Sequence, residues 1–128
     1  NKNMYMILAI GVGGALGALL RYFITSMIFN QLGNQFPWGT LTVNLLGCAL
    51  LGFLITIVSN SWSSSDAFRS FFSIGLIGAL TTFSAFSIEV VLMIEKGNWL
   101  MAVGYVVLSV ICCVGITMVS MFVTKAII

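Results

Sequence analysis

Histidine is absent from this chain of 128 residues, proline occurs once, and charged side chains make up only 6%. Without histidine no Cys/His cluster exists, which argues against zinc and haem chemistry. Cys48, Cys112 and Cys113 all fall inside apolar runs and two are adjacent, which argues against a disulfide framework. Three acidic residues stand against five basic ones. So sparse a set of charges offers no nucleic-acid surface, and none is expected as a partner.

What the chain has instead is apolar bulk. It is 60% hydrophobic and its mean hydropathy is +1.16. A small soluble fold leaves too much area exposed to hide this much apolar surface. Four apolar segments stand out, approximately 5–28, 39–58, 71–94 and 99–123. Each reaches the roughly 20 residues that a helix needs to cross hydrocarbon. The first is too long for a signal-peptide core and is followed by more apolar sequence rather than a mature domain. The expected fold class is an all-α integral membrane protein with four transmembrane helices, residues 1–128 forming one domain.

The connections are short: a polar stretch around Pro37, a serine-rich turn at 59–70, and a reversal at 95–98 marked by Gly97. Short loops make neighbouring helices antiparallel. Gly13-x-x-x-Gly17 is a small-xxx-small pattern that lets helix backbones approach in lipid. No lysine follows these glycines and no strand precedes them, which argues against a phosphate loop.

Charge placement is nearly symmetrical. Four spans put Lys2, Arg69 and Lys125 on one side and Arg21 and Lys96 on the other. That is a feeble bias for a rule that normally orients membrane proteins by a clear Lys/Arg excess. Such a chain is expected to insert both ways and to pair with an inverted copy of itself.

The third segment carries Gly78-Ala79-Leu80-Thr81-Thr82-Phe83-Ser84-Ala85-Phe86 followed by Glu89. Hydroxyls and a glycine at that depth suggest a helix broken mid-membrane, which survives only if buried by protein or lining a wet cavity. On the second segment Thr40, Asn44 and Gly47 share a helical face. The Asn44 amide offers two N–H donors, for a dehydrated anion or for an interhelical hydrogen bond. On the fourth, Tyr105, Ser109, Cys113 and Thr117 recur every four residues as one weakly polar stripe. Hydroxyls there either relay an anion without trapping it or bond neighbouring helices. Phe83 and Phe86 pack as core, or turn electropositive ring edges to an anion. Arg21 either snorkels to the interface or attracts anions to a vestibule. Glu89 has three roles open: structural acceptor, vestibule cation ligand, or desolvated acid. The first segment lacks the embedded carboxylate expected of a small dual-topology multidrug or cation exporter, the alternative reading.

Gly14-Ala15 through Arg21-Tyr22, Phe36-Pro37-x-Gly39-Thr40-Leu41-x-Val43-Asn44 and Gly78-x-x-Thr81-Thr82-Phe83-Ser84-x-Phe86 together resemble the Fluc (CrcB-type) fluoride channels. The resemblance runs over essentially the whole chain. It implies a passive fluoride exporter, not an enzyme, in the inner (plasma) membrane of a microorganism. It also implies an antiparallel homodimer with two pores, embedded in membrane lipid. Asn44, Phe83 and Phe86 would line the fluoride pathway with Ser84 nearby, and the Tyr105/Ser109/Cys113/Thr117 stripe resembles the family's polar track. A structural Na⁺ at the dimer interface is implied too, held by backbone carbonyls of Gly78 and Thr81 from both copies. Ala79, Ala85 and Cys113 depart from the glycine, threonine and serine common at those places.

Overall fold

Local chemistry at the chain's few polar residues sets where its helices begin and end. The computed structural model describes residues 1–60 and 63–128; Ser61 and Trp62, within the 59–70 connection, lie outside the described residues. Helix α1 (Lys2–Leu32) opens on Asn1, whose side chain accepts the Asn3 N–H at 3.0 Å, a common N-cap device. It closes at Gly33, whose φ of 77° suits a residue without Cβ. Helix α2 spans Trp38–Asn60. The turn before the last helix uses Gly97 at φ 83° in the same way.

The third stretch is composite. Helix α3 (Asp66–Ser70) is capped by Ser65, whose hydroxyl accepts the Phe68 N–H, and carries an Asp66–Arg69 ion pair. A π-helical segment, Phe71–Ile77, leads into one turn of α4 (Gly78–Leu80). Thr81 (φ −83°, ψ 155°) and Thr82 (φ −151°, ψ 117°) are extended. Helix α5 (Phe83–Glu95) then starts on a Thr82 cap, and α6 runs Trp99–Ile127. No strand occurs among the described residues.

Among the described residues four stretches are long and apolar enough to cross a membrane: Lys2–Leu32, Trp38–Asn60, Asp66–Glu95 and Trp99–Ile127. The protein is therefore all-helical and multi-pass. Helix α1 packs on the π-helical segment and α4, while α2 packs on α6. Gly13 and Gly17 explain the first contact. A Cβ on Gly13 would lie 2.4 Å from the Phe71 carbonyl oxygen, and one on Gly17 only 2.2 Å from that of Leu76. Backbones meet here without intervening side chains, the arrangement that small residues permit in lipid.

The interior is small. Leu41, Phe86, Met93, Ala102 and Tyr105 form its main cluster. Most large apolar side chains face outward instead. That inversion suits hydrocarbon, where apolar exposure costs nothing and only unpaired polar groups are expensive.

Candidate functional site

The extended residues Thr81 and Thr82 leave backbone groups without helical partners, and side chains from other helices supply them. Asn44 on α2 makes a two-sided pair: its Oδ1 accepts the Thr82 N–H at 2.8 Å and its Nδ2 donates to the Thr82 carbonyl at 3.2 Å. One amide hydrogen of Asn44 remains beyond that pair. Arg21 Nε donates to the Ala79 carbonyl at 3.0 Å. The Thr82 hydroxyl accepts the Ala85 N–H at 3.1 Å and lies 3.2 Å from Ser84 Oγ. Gly47 makes room on α2, since a Cβ there would sit 2.1 Å from Thr81 Cγ2. Buried backbone polarity is satisfied here side chain by side chain.

Among the described residues, candidate side chains gather at two of the cavities. One, of about 380 Å³, is lined by Phe36, Pro37, Thr40, Glu89, Lys96 and Asn98 among others. In its wall Glu89 is held at both carboxylate oxygens. Thr40 Oγ1 donates to Oε2 at 2.7 Å, and the Tyr105 hydroxyl donates to Oε1 at 3.0 Å. Of the roles open to Glu89, that of structural acceptor is filled.

The second cavity, of about 320 Å³, gathers Asn44, Gly78, Thr81, Phe83, Phe86, Ser109 and Cys113, together with Cys48. Phe86 is buried, whereas Phe83 is 78% exposed. The Ser109 hydroxyl is buried and has no hydrogen-bond partner within the described residues. A buried hydroxyl of a cavity-lining residue keeps its hydrogen-bonding capacity unspent within the protein. A row of ring contacts joins the two cavities: Phe36–Tyr105 at 5.2 Å, Tyr105–Phe86 at 5.0 Å and Phe86–Phe83 at 5.4 Å. Tyr105, fully buried, is the common element.

The residues singled out in the sequence are thus partly brought together. The face of α2 divides, with Thr40 on the first cavity and Asn44 on the second. The α6 stripe divides as well. Tyr105 turns to Glu89, and Ser109 and Cys113 reach the second cavity. Thr117 instead donates to the carbonyls of Cys113 at 2.9 Å and Cys48 at 3.4 Å and lines neither cavity. Ser84 is exposed and lines neither cavity. Arg21, expected at a membrane interface or vestibule, also lines neither, because its guanidinium is tied to the Ala79 carbonyl.

Two participants escape the sequence reading. Thr82 carries both the cap of α5 and the pair with Asn44; its signal is a threonine at the N-cap position, three residues before the N–H that its hydroxyl accepts. Cys48 lies one turn beyond Asn44 on the same face of α2, a spacing that predicts a shared wall.

The described chain is thus a multi-pass membrane protein with a cavity walled by amide, hydroxyl, thiol and phenyl groups. The chain belongs to the CrcB family: the family model described as "CrcB-like protein, Camphor Resistance (CrcB)" matches residues 8–121. A relative from Rhizobium meliloti (strain 1021), named "Fluoride-specific ion channel FluC", is 40% identical over 119 residues, 93% of this chain and 92% of its own length. Proteins of the same name from Chloroflexus aurantiacus (strain ATCC 29366 / DSM 635 / J-10-fl) and Legionella pneumophila (strain Lens) are 44% and 46% identical. Those alignments cover 84% and 72% of this chain, and 86% and 69% of the relatives.

Proposed function

We propose that this chain is a fluoride-selective channel, letting the anion leave a microbial cell passively across the inner (plasma) membrane. One observation carries the reading: the second cavity sets the unpartnered Ser109 hydroxyl beside Asn44, Phe83 and Phe86. Fluoride is small and strongly hydrated, so its shell must be replaced by donors. Hydroxyl, amide N–H and ring edges supply these without a fixed positive charge that would hold the ion too firmly to leave. The names carried by the relatives agree with this chemistry. Purified protein in liposomes is expected to release fluoride to an ion-selective electrode and to retain chloride. Equal release of both ions, or of neither, would overturn the reading.

The working unit is an antiparallel homodimer with two pores, its third helix broken at Thr81–Thr82 near mid-membrane. The near-balanced Lys and Arg count supports insertion in both orientations. Exposure of Phe83 and Gly78 beside the extended residues gives an inverted copy a face to cover. A structural Na⁺ fits that face, held by the Gly78 and Thr81 carbonyls of both copies. In a continuous helix those carbonyls would accept the N–H groups of Thr82 and Ala85. Both donors are diverted here, to Asn44 Oδ1 and to the Thr82 hydroxyl. Carbonyl oxygens suit a hard cation, which would tie the two broken helices together. A structure of the assembled protein is expected to show antiparallel copies and density at short, oxygen-only distances from these four carbonyls. Parallel copies, or contacts of water length, would count against it.

A further inference from the structure

The proposed pathway assigns no chemistry of their own to Cys113 and Cys48. Yet the two thiols come from different helices to one wall, and both residues line the second cavity. They sit on α2 and α6, two helices that pack directly on one another. The backbones around them are close as well: the Thr117 hydroxyl reaches both the Cys113 and the Cys48 carbonyls. One turn further along α2, a Cβ on Gly52 would lie 2.9 Å from the Thr117 carbonyl oxygen. A small residue at this point lets the two helices approach closely, beside the pair of cysteines. Neither cysteine is in a disulfide, and both are partly buried.

We propose that Cys48 and Cys113 form a two-sulfur site for a soft d¹⁰ cation of the mercury(II), silver(I) or copper(I) kind, in the wall of the second cavity. Soft cations select thiolate sulfur, whereas hard ones select oxygen. These d¹⁰ ions are satisfied by two roughly opposed sulfurs. No group of three or more His, Cys, Asp or Glu gathers among the described residues, so four-coordinate zinc finds no complete ligand set. Binding exchanges protons for metal: each thiol gives up its proton to solvent, two sulfur–metal bonds form, and no electron is transferred. Cys112, next in sequence, is not part of that wall and does not contribute. A cation bridging α2 to α6 narrows the cavity and blocks its traffic. The blocking half of the proposal rests on the channel reading; the binding half does not.

Mercury(II) nitrate is the probe, titrated into purified protein and into fluoride-loaded liposomes. One ion per chain is expected, with the ultraviolet sulfur-to-mercury band, in the parent and in Cys112→Ala. The band is lost at the same dose in Cys48→Ala and in Cys113→Ser, each checked for an unchanged melting temperature and dimer profile. Fluoride efflux from parent liposomes is expected to fall roughly tenfold and to recover with dithiothreitol, as a competing thiol strips a sulfur-bound metal. Cys48→Ala efflux, compared with its own metal-free rate, resists the same dose. Undiminished binding in both single variants, or loss of binding in Cys112→Ala, overturns the site. Full binding with unaltered efflux overturns the block. Liposomes that release no fluoride before metal is added fail the channel reading, and the mercury band still decides the site.

Discussion

Replacing Asn44 by aspartate is expected to abolish fluoride flux while sparing much of the fold. The substitution keeps an oxygen to accept the Thr82 N–H, now held at 2.8 Å. It removes the amide that donates to the Thr82 carbonyl at 3.2 Å and sets oxygen against oxygen there. Losing one partner of a partly buried pair costs about 1–3 kcal/mol, enough to loosen the start of α5. The effect on the ion is larger. A carboxylate about 4 Å from fluoride repels it by roughly 4 kcal/mol at the effective dielectric of such sites, on the order of a thousandfold in occupancy. Electrode-measured efflux should fall to the leak of empty liposomes, with the dimer peak retained on size exclusion. Parent-rate efflux from well-assembled N44D would remove Asn44 from the pathway and leave it only as the clamp on Thr82.

That double duty shows where sequence reading stops. Four membrane-crossing helices are legible because hydrocarbon thickness dictates the length of an apolar run. Their ends are less so. Helix α1 continues through Asn30 and Gln31 to Leu32, and the third stretch starts at Asp66 under a Ser65 cap, where polarity reads as loop. The extended dihedrals of Thr81 and Thr82 fall within the string that hydroxyls and glycine single out at apolar depth. Asn44 stands out equally, as a polar residue on an apolar face. What the sequence does not reveal is that these are two halves of one contact, 38 residues apart.

Arg21 makes the same point more sharply. A charge near the end of an apolar run reads as an interface anchor or as an anion-attracting group at a vestibule, because nothing local competes for it. Its partner is a backbone carbonyl 58 residues away, and a carbonyl has no signature in sequence. Periodicity likewise puts Tyr105, Ser109, Cys113 and Thr117 on one face of α6. It cannot say that Thr117 spends its hydroxyl on two carbonyls while Ser109 keeps its own free. Facing direction is local information; partnership is tertiary.

Phe83 and Phe86 separate packing from permeation more cleanly than any other pair. Phe86 is 8% exposed and its ring lies 5.0 Å from Tyr105, so Phe86→Ile removes interior contacts as well as a ring edge. A melting shift equivalent to about 1–3 kcal/mol is expected from the lost volume. Phe83 is 78% exposed in the single chain, so Phe83→Ile is expected to leave the fold of each copy almost untouched, with any effect on pairing read from the dimer profile. Both residues line the second cavity, and both variants lose an electropositive ring edge that isoleucine cannot replace. If ring edges stand in for fluoride's water, each variant should lose roughly tenfold or more in efflux, since an edge contact worth about 1.5 kcal/mol is a tenfold factor. The decisive comparison is the ratio of flux lost to stability lost. Packing alone predicts that Phe86→Ile is the worse channel by far and Phe83→Ile nearly normal. A pathway lined by both rings predicts similar flux defects at very different melting temperatures. Phe83→Ile protein that melts, dimerises and conducts like the parent would take that ring out of the pathway.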